Sequence, residues 1–146
     1  MSSFLALTFA LAALTHAPAP HFAQMALHAP RAKLAVEIAD TERKREYGLM
    51  NRTLLPPRHG MVFVFSQDGV ANFWMKNTLI ALDMVFISGE GRVRSVAQAV
   101  PASTAQTPDS KVARRSGFAK YVLELPAREA RTDGLVPGAL VPELRP

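Results

Sequence analysis

The chain has 146 residues, of which 17 are Lys or Arg, 12 are Asp or Glu and none is Cys. This length fits one domain with a leader or tail, and the lack of cysteine excludes disulfides and cysteine nucleophiles. The net charge of +5 favours an anionic partner, but no zinc finger, helix-turn-helix or RNA-binding aromatic motif is present, so we expect no nucleic-acid partner.

Residues 1–30 contain no Lys, Arg, Asp or Glu and are predicted to be a leader. The apolar run Phe4–Leu14 is typical of a secretory signal peptide and too short to span a bilayer. An uncleaved N-terminal anchor and a buried helix are the alternatives, because no basic residue precedes that run. Thr15–Arg31 is predicted to be an Ala- and Pro-rich linker. The sequence thus predicts a periplasmic or secreted protein with one folded domain over residues 31–146.

The domain begins with alternating strand and turn patterns. Lys33–Ala39 alternates apolar and polar residues, as half-buried strands do. Asp40 is predicted to cap a helix over Thr41–Arg52. Gly60–Phe65 is apolar on both faces, which is typical of a strand in the middle of a sheet, and Ser66–Gly69 is predicted to be a turn.

Further strands follow. Val70–Lys76 and Ala81–Ile87 are predicted to pair as a hairpin, and Arg92–Val100 alternates again. Pro101–Gly117 has little to bury and is predicted to be a long loop, either a mobile lid or disordered. Lys120–Pro126 is a strand before a final helical turn. We therefore expect a mainly β fold, a small β-sandwich or barrel of about seven strands with one or two short helices.

The chain's only tryptophan stands among polar neighbours. Alternation places Asn72, Trp74 and Lys76 on one strand face, and Asn77 follows at the turn. An indole flanked by an amide and an ammonium is suited to recognition. Equally, Lys76 could lie over a half-buried Trp74 as an ordinary cation–π contact.

Two carboxylates fall among apolar residues. Asp83 shares its strand face with apolar side chains, and a buried carboxylate must find a partner or become neutral. Lys76, Arg52 or backbone amides of a nearby turn could serve Asp83. Glu124 raises the same question, and if the two acids met they could form an acid–base or hard-cation site.

Several motifs resemble the signature of a bacterial and archaeal family catalogued as domain of unknown function 192. They are Gly48-Leu49-Met50 with Arg52, Gly60-Met61 with Phe63, the Phe73–Thr78 block FWMKNT, Leu82-Asp83, Gly91 with Val93, and the later Val122–Ala127. The resemblance implies a compact, mainly β domain, often exported, with no assigned activity. Three positions depart from the family's pattern: Ala81 stands for proline, Arg128 for glycine and Ala139 for aspartate.

We expect a binding or accessory module of the cell envelope with an anionic or sugar-like ligand. The candidate binding residues are Arg52, Trp74, Lys76, Asn77, Asp83 and Glu124, with Pro101–Gly117 as a cover. The alternatives are a hydrolase-like enzyme using Asp83, with or without Glu124, and a purely structural role for the shared block. No cofactor or metal site is predicted, since His59 is the only histidine after residue 30. Membrane contact is expected only through an uncleaved N-terminal segment, and the oligomeric state stays open.

Overall fold

The structure, a computed structural model, describes residues 18–146, and the predicted signal peptide lies outside the described residues. The elements in chain order are β1 (Gln24–Ala29), β2 (Ala32–Ala39), α1 (Glu42–Tyr47), β3 (His59–Trp74), β4 (Leu82–Ile87), β5 (Val93–Val100), β6 (Arg114–Pro126) and α2 (Glu129–Thr132). Single 3-10 turns lie at Asp109–Lys111 and Pro142–Leu144. Among residues 18–146 no helix is long and apolar enough to cross a membrane.

The six strands form one mixed sheet in the order β1-β2-β3-β6-β4-β5. Only β2 and β3 are parallel, and every other neighbouring pair is antiparallel. The sheet is open, with β1 and β5 at its edges. The expected mainly β fold with short helices is confirmed.

The central strand differs most from the prediction. The predicted turn at Ser66–Gly69 is wrong, because β3 continues through it as one strand of 16 residues. The predicted hairpin of Val70–Lys76 with Ala81–Ile87 is also wrong, because β6 lies between β3 and β4. Between its paired segments β3 advances from Val64 to Gly69 while β6 moves only from Tyr121 to Ala119. The extra residues on β3 form an irregular bulge, which bends a strand.

Phe63 and Phe73 show how far β3 bends. A straight strand would separate residues ten positions apart by about 33 Å, yet their ring centroids are 4.9 Å apart, edge to face. The far half of β3, paired with the first half of β6, therefore folds back over the sheet. We call this segment, Gly69–Trp74 paired with Arg114–Ala119, the curled ribbon.

The sheet carries a core on each face. One core is covered by α2 and the C-terminal segment, and includes Leu27, Leu34, Val36, Val62, Val85, Leu123, Leu125, Ala130, Leu135 and Val141. The other lies under the curled ribbon, and includes Leu49, Met61, Phe63, Met75, Met84, Phe86, Val112 and Val122. Burial on both faces of β3, β4 and β6 explains why their sequences are almost continuously apolar.

Three local predictions need correction. β1 lies inside the predicted linker and pairs with β2, so the folded domain already includes Gln24. The N-cap of α1 is Thr41, whose hydroxyl accepts the Lys44 N–H, and Asp40 instead forms an ion pair with Lys44. The loop after β5 is shorter than expected and is anchored by buried Ser103, which donates to the Met75 carbonyl.

Candidate functional site

A cavity of about 310 Å³ lies between α1 and the face of β3. Its lining residues are Glu42, Arg45, Glu46, Tyr47, Gly48, Leu49, Met50, Phe63, Phe65, Asn72, Phe73, Trp74, Thr78 and Glu124. Five of these side chains are aromatic and four carry a charge or can ionise as an acid or a base at moderate pH. The cavity is therefore an apolar space with a few polar groups, which is the usual composition of a small-molecule site.

Helix α1, which covers the cavity, is hydrogen-bonded to β3 beside the bend of that strand. Arg45 of α1 donates to the Val64 carbonyl at 2.9 Å, and its guanidinium lies over the Phe65 ring at 5.3 Å. The helix ends at Gly48, whose φ of +49° is in the left-handed region. A β-carbon at Gly48 would lie 3.2 Å from the Phe63 ring, so glycine permits the close approach of α1 to the sheet.

The aromatic wall exists because β3 bends. Phe73, on the returning half of the strand, packs edge to face against both Phe63 and Phe65, with centroids 4.9 and 6.4 Å away. Trp74 follows at the mouth, where its side chain is 41% exposed. One strand thus supplies four of the aromatic rings that line the cavity.

Glu124 is the buried acid among the described residues that line the cavity. It lies on β6 between Met61 of β3 and Met84 of β4, and it is only 5% exposed. Within residues 18–146 its carboxyl forms no hydrogen bond or ion pair, and burial alone raises its pKa to about 8. At neutral pH Glu124 is therefore mostly protonated, and the acid can donate one hydrogen bond and accept others.

Asp83 is placed differently. It is fully buried, and its carboxylate accepts backbone N–H bonds from Ala99 at 2.7 Å, Arg128 at 2.9 Å and Ala130 at 3.0 Å. Its partners are neither basic side chains nor the turn before β4. This burial and these bonds favour the structural alternative, in which Asp83 braces the β5 and α2 ends, over a hydrolase that uses Asp83.

The two carboxylates, whose meeting the sequence left open, lie on neighbouring strands but do not meet. Asp83 pairs with Leu125 and Met84 pairs with Glu124 across β4 and β6. Paired residues share a sheet face and successive residues alternate, so Asp83 and Glu124 project from opposite faces. Among residues 18–146, no group of three or more His, Cys, Asp or Glu is placed to hold a metal ion.

The predicted basic residues lie outside the cavity lining. Lys76 pairs with Asp109 and lies 5.8 Å from the Trp74 ring centroid, while Arg114 lies over the same ring at 4.8 Å. Arg52 forms an ion pair with Glu37 and lies over Phe22.

Asn77 takes a left-handed backbone conformation with φ +51°. Its carbonyl accepts the Asn51 N–H at 2.9 Å, which ties the turn after β3 to the turn after α1. Of the six predicted residues, only Trp74 and Glu124 line the cavity together.

Sequence reasoning missed most of the lining. Phe63 and Phe65 are two positions apart on one strand, so alternation places them on the same face, whereas Phe73 joins them only through the bend beyond the bulge. The contributions of Arg45 and Tyr47 had no such signal, because they depend on how α1 lies against the bend.

Comparison with known proteins identifies the family of this chain. The sequence profile of DUF192, a family described as uncharacterized ACR, matches residues 24–142. The chain belongs to this family. Search of the curated proteins found no match for this DUF192 chain.

Two crystal structures are similar to the DUF192 chain. One is a Sinorhizobium meliloti 1021 protein provisionally named a transcription regulator, 33% identical, with a TM-score of 0.70 over 82% of this chain and 93% of its own. The other is a Novosphingobium aromaticivorans DSM 12444 protein of unknown function, 29% identical, with a TM-score of 0.65 over 87% of this chain and 93% of its own. Two proteins of nearly the same length therefore have a similar fold, and these matches assign no activity to this chain.

Proposed function

We propose that this DUF192 chain is a binding module of the cell envelope that takes a small molecule into the cavity beneath α1. The observation that carries the proposal is Glu124, a buried carboxyl without a protein partner at an aromatic cavity. Buried polar groups in proteins are nearly always hydrogen-bonded. A carboxyl left without a partner at a solvent-reachable cavity is suited to a ligand that supplies the missing bond.

The size and the composition of the cavity favour a small ligand. Its volume of about 310 Å³ is at the lower end of the range of about 300–1,000 Å³ for small-molecule sites. An aromatic wall buries apolar surface and offers flat rings for stacking. A ligand with one apolar face and one hydrogen-bonding group would use both features.

The charge of the lining argues against an anion at this cavity. The anionic ligand expected from the sequence depended on Arg52 and Lys76, and both already pair with carboxylates. The lining itself contains Glu42, Glu46 and Glu124 against the single guanidinium of Arg45. Of the expected anionic or sugar-like ligand, the charge of the lining thus argues against the anionic alternative.

Export is supported by the sequence of the first 20 residues. The apolar run Phe4–Leu14 and the small residues that follow it are typical of a signal peptide. Cell fractionation with N-terminal sequencing of the recovered protein tests this part. We expect a shortened chain outside the cytoplasm, whereas a full-length cytoplasmic chain would contradict export.

Ligand binding can be tested with the protein's own fluorescence, because its only tryptophan lies at the cavity mouth. We expect members of a small-fragment library to change Trp74 emission and to raise the melting temperature. The thermal shift should be lost in Trp74→Ala and kept in Phe118→Ala, since Phe118 is a similarly exposed aromatic of the curled ribbon outside the cavity lining. A library without any binder, or equal shifts in both variants, would refute the proposal.

A further inference from the structure

We propose that the ligand of this cavity is a small organic cation, a primary or secondary ammonium on an apolar group, whose N–H groups bind the Glu124 carboxylate. This inference rests on the proposed function and names its ligand class. It follows from three features of the cavity: an acid without a donor, a wall of aromatic faces and an excess of acidic groups.

The first feature is the missing donor. Glu124 is only 5% exposed. Its neighbours on the adjacent strands, Met61 and Met84, have no side-chain group that donates a hydrogen bond. An ionised carboxylate here is uncompensated within residues 18–146. A ligand ammonium would supply both the hydrogen bonds and the opposite charge, and charge-assisted bonds of this kind are about twice as strong as neutral ones.

The second feature is the aromatic wall. The faces of aromatic rings attract cations, more strongly when water is excluded. Two of the lining rings already have cationic neighbours, since Arg45 lies over Phe65, and Arg114 and Lys76 lie over Trp74. Phe63, Phe73 and Tyr47 add further rings inside the cavity. An ammonium on an apolar group would meet these rings and Glu124 together.

The third feature is the local charge. The protein as a whole carries +5, yet three carboxyl groups and one guanidinium line this cavity. Glu42 and Glu46 of α1 are exposed acids of the lining that would attract a cation from solution, and the cations Arg114 and Lys76 are confined to the Trp74 ring. A neutral sugar could hydrogen-bond to Glu124 but would gain nothing from these charges.

Binding of a cation must be coupled to the proton on Glu124. Burial raises the pKa of Glu124 to about 8, so below pH 8 the free protein holds a proton that the bound ammonium would displace. The other charged or titratable residues in the lining are Glu42, Arg45, Glu46 and Tyr47 of α1, and Arg114 and Lys76 lie over the lining ring of Trp74. Beside Glu124 itself, β3 and β4 place only methionines. Affinity for the cation should therefore rise with pH up to about 8.

The test uses two probes of nearly equal shape, 2-phenylethylamine and 2-phenylethanol, in titration calorimetry at pH 6, 7 and 8 on the exported chain as it is isolated. We expect the amine to bind more tightly than the alcohol, with affinity at pH 8 about fivefold or more above that at pH 6. Proton release should appear as a dependence of the measured heat on the buffer. The alcohol should show neither effect.

Two variants complete the experiment. Glu124→Gln keeps the shape and removes the charge, so amine affinity should fall about tenfold or more and lose its pH dependence, with melting temperature kept or raised. Glu90→Gln removes an exposed carboxylate outside the cavity lining and should behave as the native chain does.

Equal affinities for the two probes, a flat pH profile, or unchanged amine binding in Glu124→Gln would each refute a cationic ligand. The fragment library described above would still decide separately whether the cavity binds small molecules at all.

Discussion

Asp83 and Glu124 occupy neighbouring strands one position out of register, and their side chains project from opposite faces of the sheet. Both are buried. Asp83 is surrounded by three backbone N–H donors, whereas Glu124 has no donor among the described residues. The same chemical group thus braces the backbone on one face of the sheet, and on the other it lines a cavity without a protein hydrogen-bond partner among residues 18–146.

The brace predicts a large loss of stability in Asp83→Asn. The amide keeps the size of the carboxyl, but its NH₂ group would face an N–H donor, and one buried donor would lose its acceptor. We expect the free energy of unfolding to fall by about 2–4 kcal/mol, measured by urea denaturation. Asp109→Asn, which alters an exposed ion pair with Lys76, should change stability little. Equal effects of the two substitutions would contradict the assigned role of Asp83.

Glu124 predicts the opposite behaviour and a pH dependence. Burial raises the pKa of Glu124 from 4.5 to about 8, so the native state binds more protons than the unfolded state between these values. Stability is then fully present below pH 4.5 and falls as pH rises towards 8. The loss at pH 8 and above is on the order of 4 kcal/mol.

The comparison of native protein with Glu124→Gln isolates this effect, because all other titrating groups are shared. We expect similar unfolding free energies near pH 4.5 and an advantage for Glu124→Gln that grows up to about pH 8. Urea denaturation at intervals of one pH unit measures the difference. A difference that does not vary with pH would mean that Glu124 titrates normally.

The sequence predicted most strands but could not predict their arrangement. Alternation located β2 and β5, and two-sided apolarity located the start of β3, because these patterns depend only on which faces are buried. Ser66–Gly69 has the composition of a turn, and it forms a bulge only because the segments before and after it both pair with β6. The bend, and with it the cavity, is therefore a property of strand order rather than of local sequence.

The candidate site was predicted in part for the same reason. Trp74 and Glu124 were recognisable as unusual residues in their strands, and the structure places both at one cavity. The role of Asp83 was not predictable, since its donors lie 16, 45 and 47 positions away in the chain. Contacts between residues so far apart in the chain are set by tertiary packing, and the sequence around Asp83 does not indicate them.

The curled ribbon predicts that two glycines of the same ribbon respond differently to alanine. A β-carbon at Gly117 would lie 2.5 Å from the buried Phe86 ring, whereas one at Gly69 would have no atom within 4 Å. Gly117→Ala must push the ribbon away from the core, at a cost of about 1–3 kcal/mol. Gly69→Ala should leave the unfolding free energy unchanged or raise it by about 0.4–1 kcal/mol. Similar urea midpoints for both variants would show that the ribbon does not pack against Phe86.

We expect that replacing Arg128 with glycine, the residue that the family resemblance implies at this position, makes the protein more stable. Its φ of +73° is in the left-handed region, which costs a residue with a β-carbon roughly 1–2 kcal/mol. That conformation aims the Arg128 N–H at Asp83, 2.9 Å away, so the backbone geometry serves the brace and the side chain does not. Glycine adopts this conformation without strain, although it loses more entropy on folding.

We therefore expect Arg128→Gly to raise the free energy of unfolding by about 0.5–1 kcal/mol. Arg131→Gly is the matched control, because Arg131 lies within α2, where glycine should lower stability by about 0.5–1 kcal/mol. Urea denaturation of the two variants should give shifts of opposite sign. A loss of stability in Arg128→Gly would mean that the arginine side chain itself contributes contacts that outweigh the backbone strain.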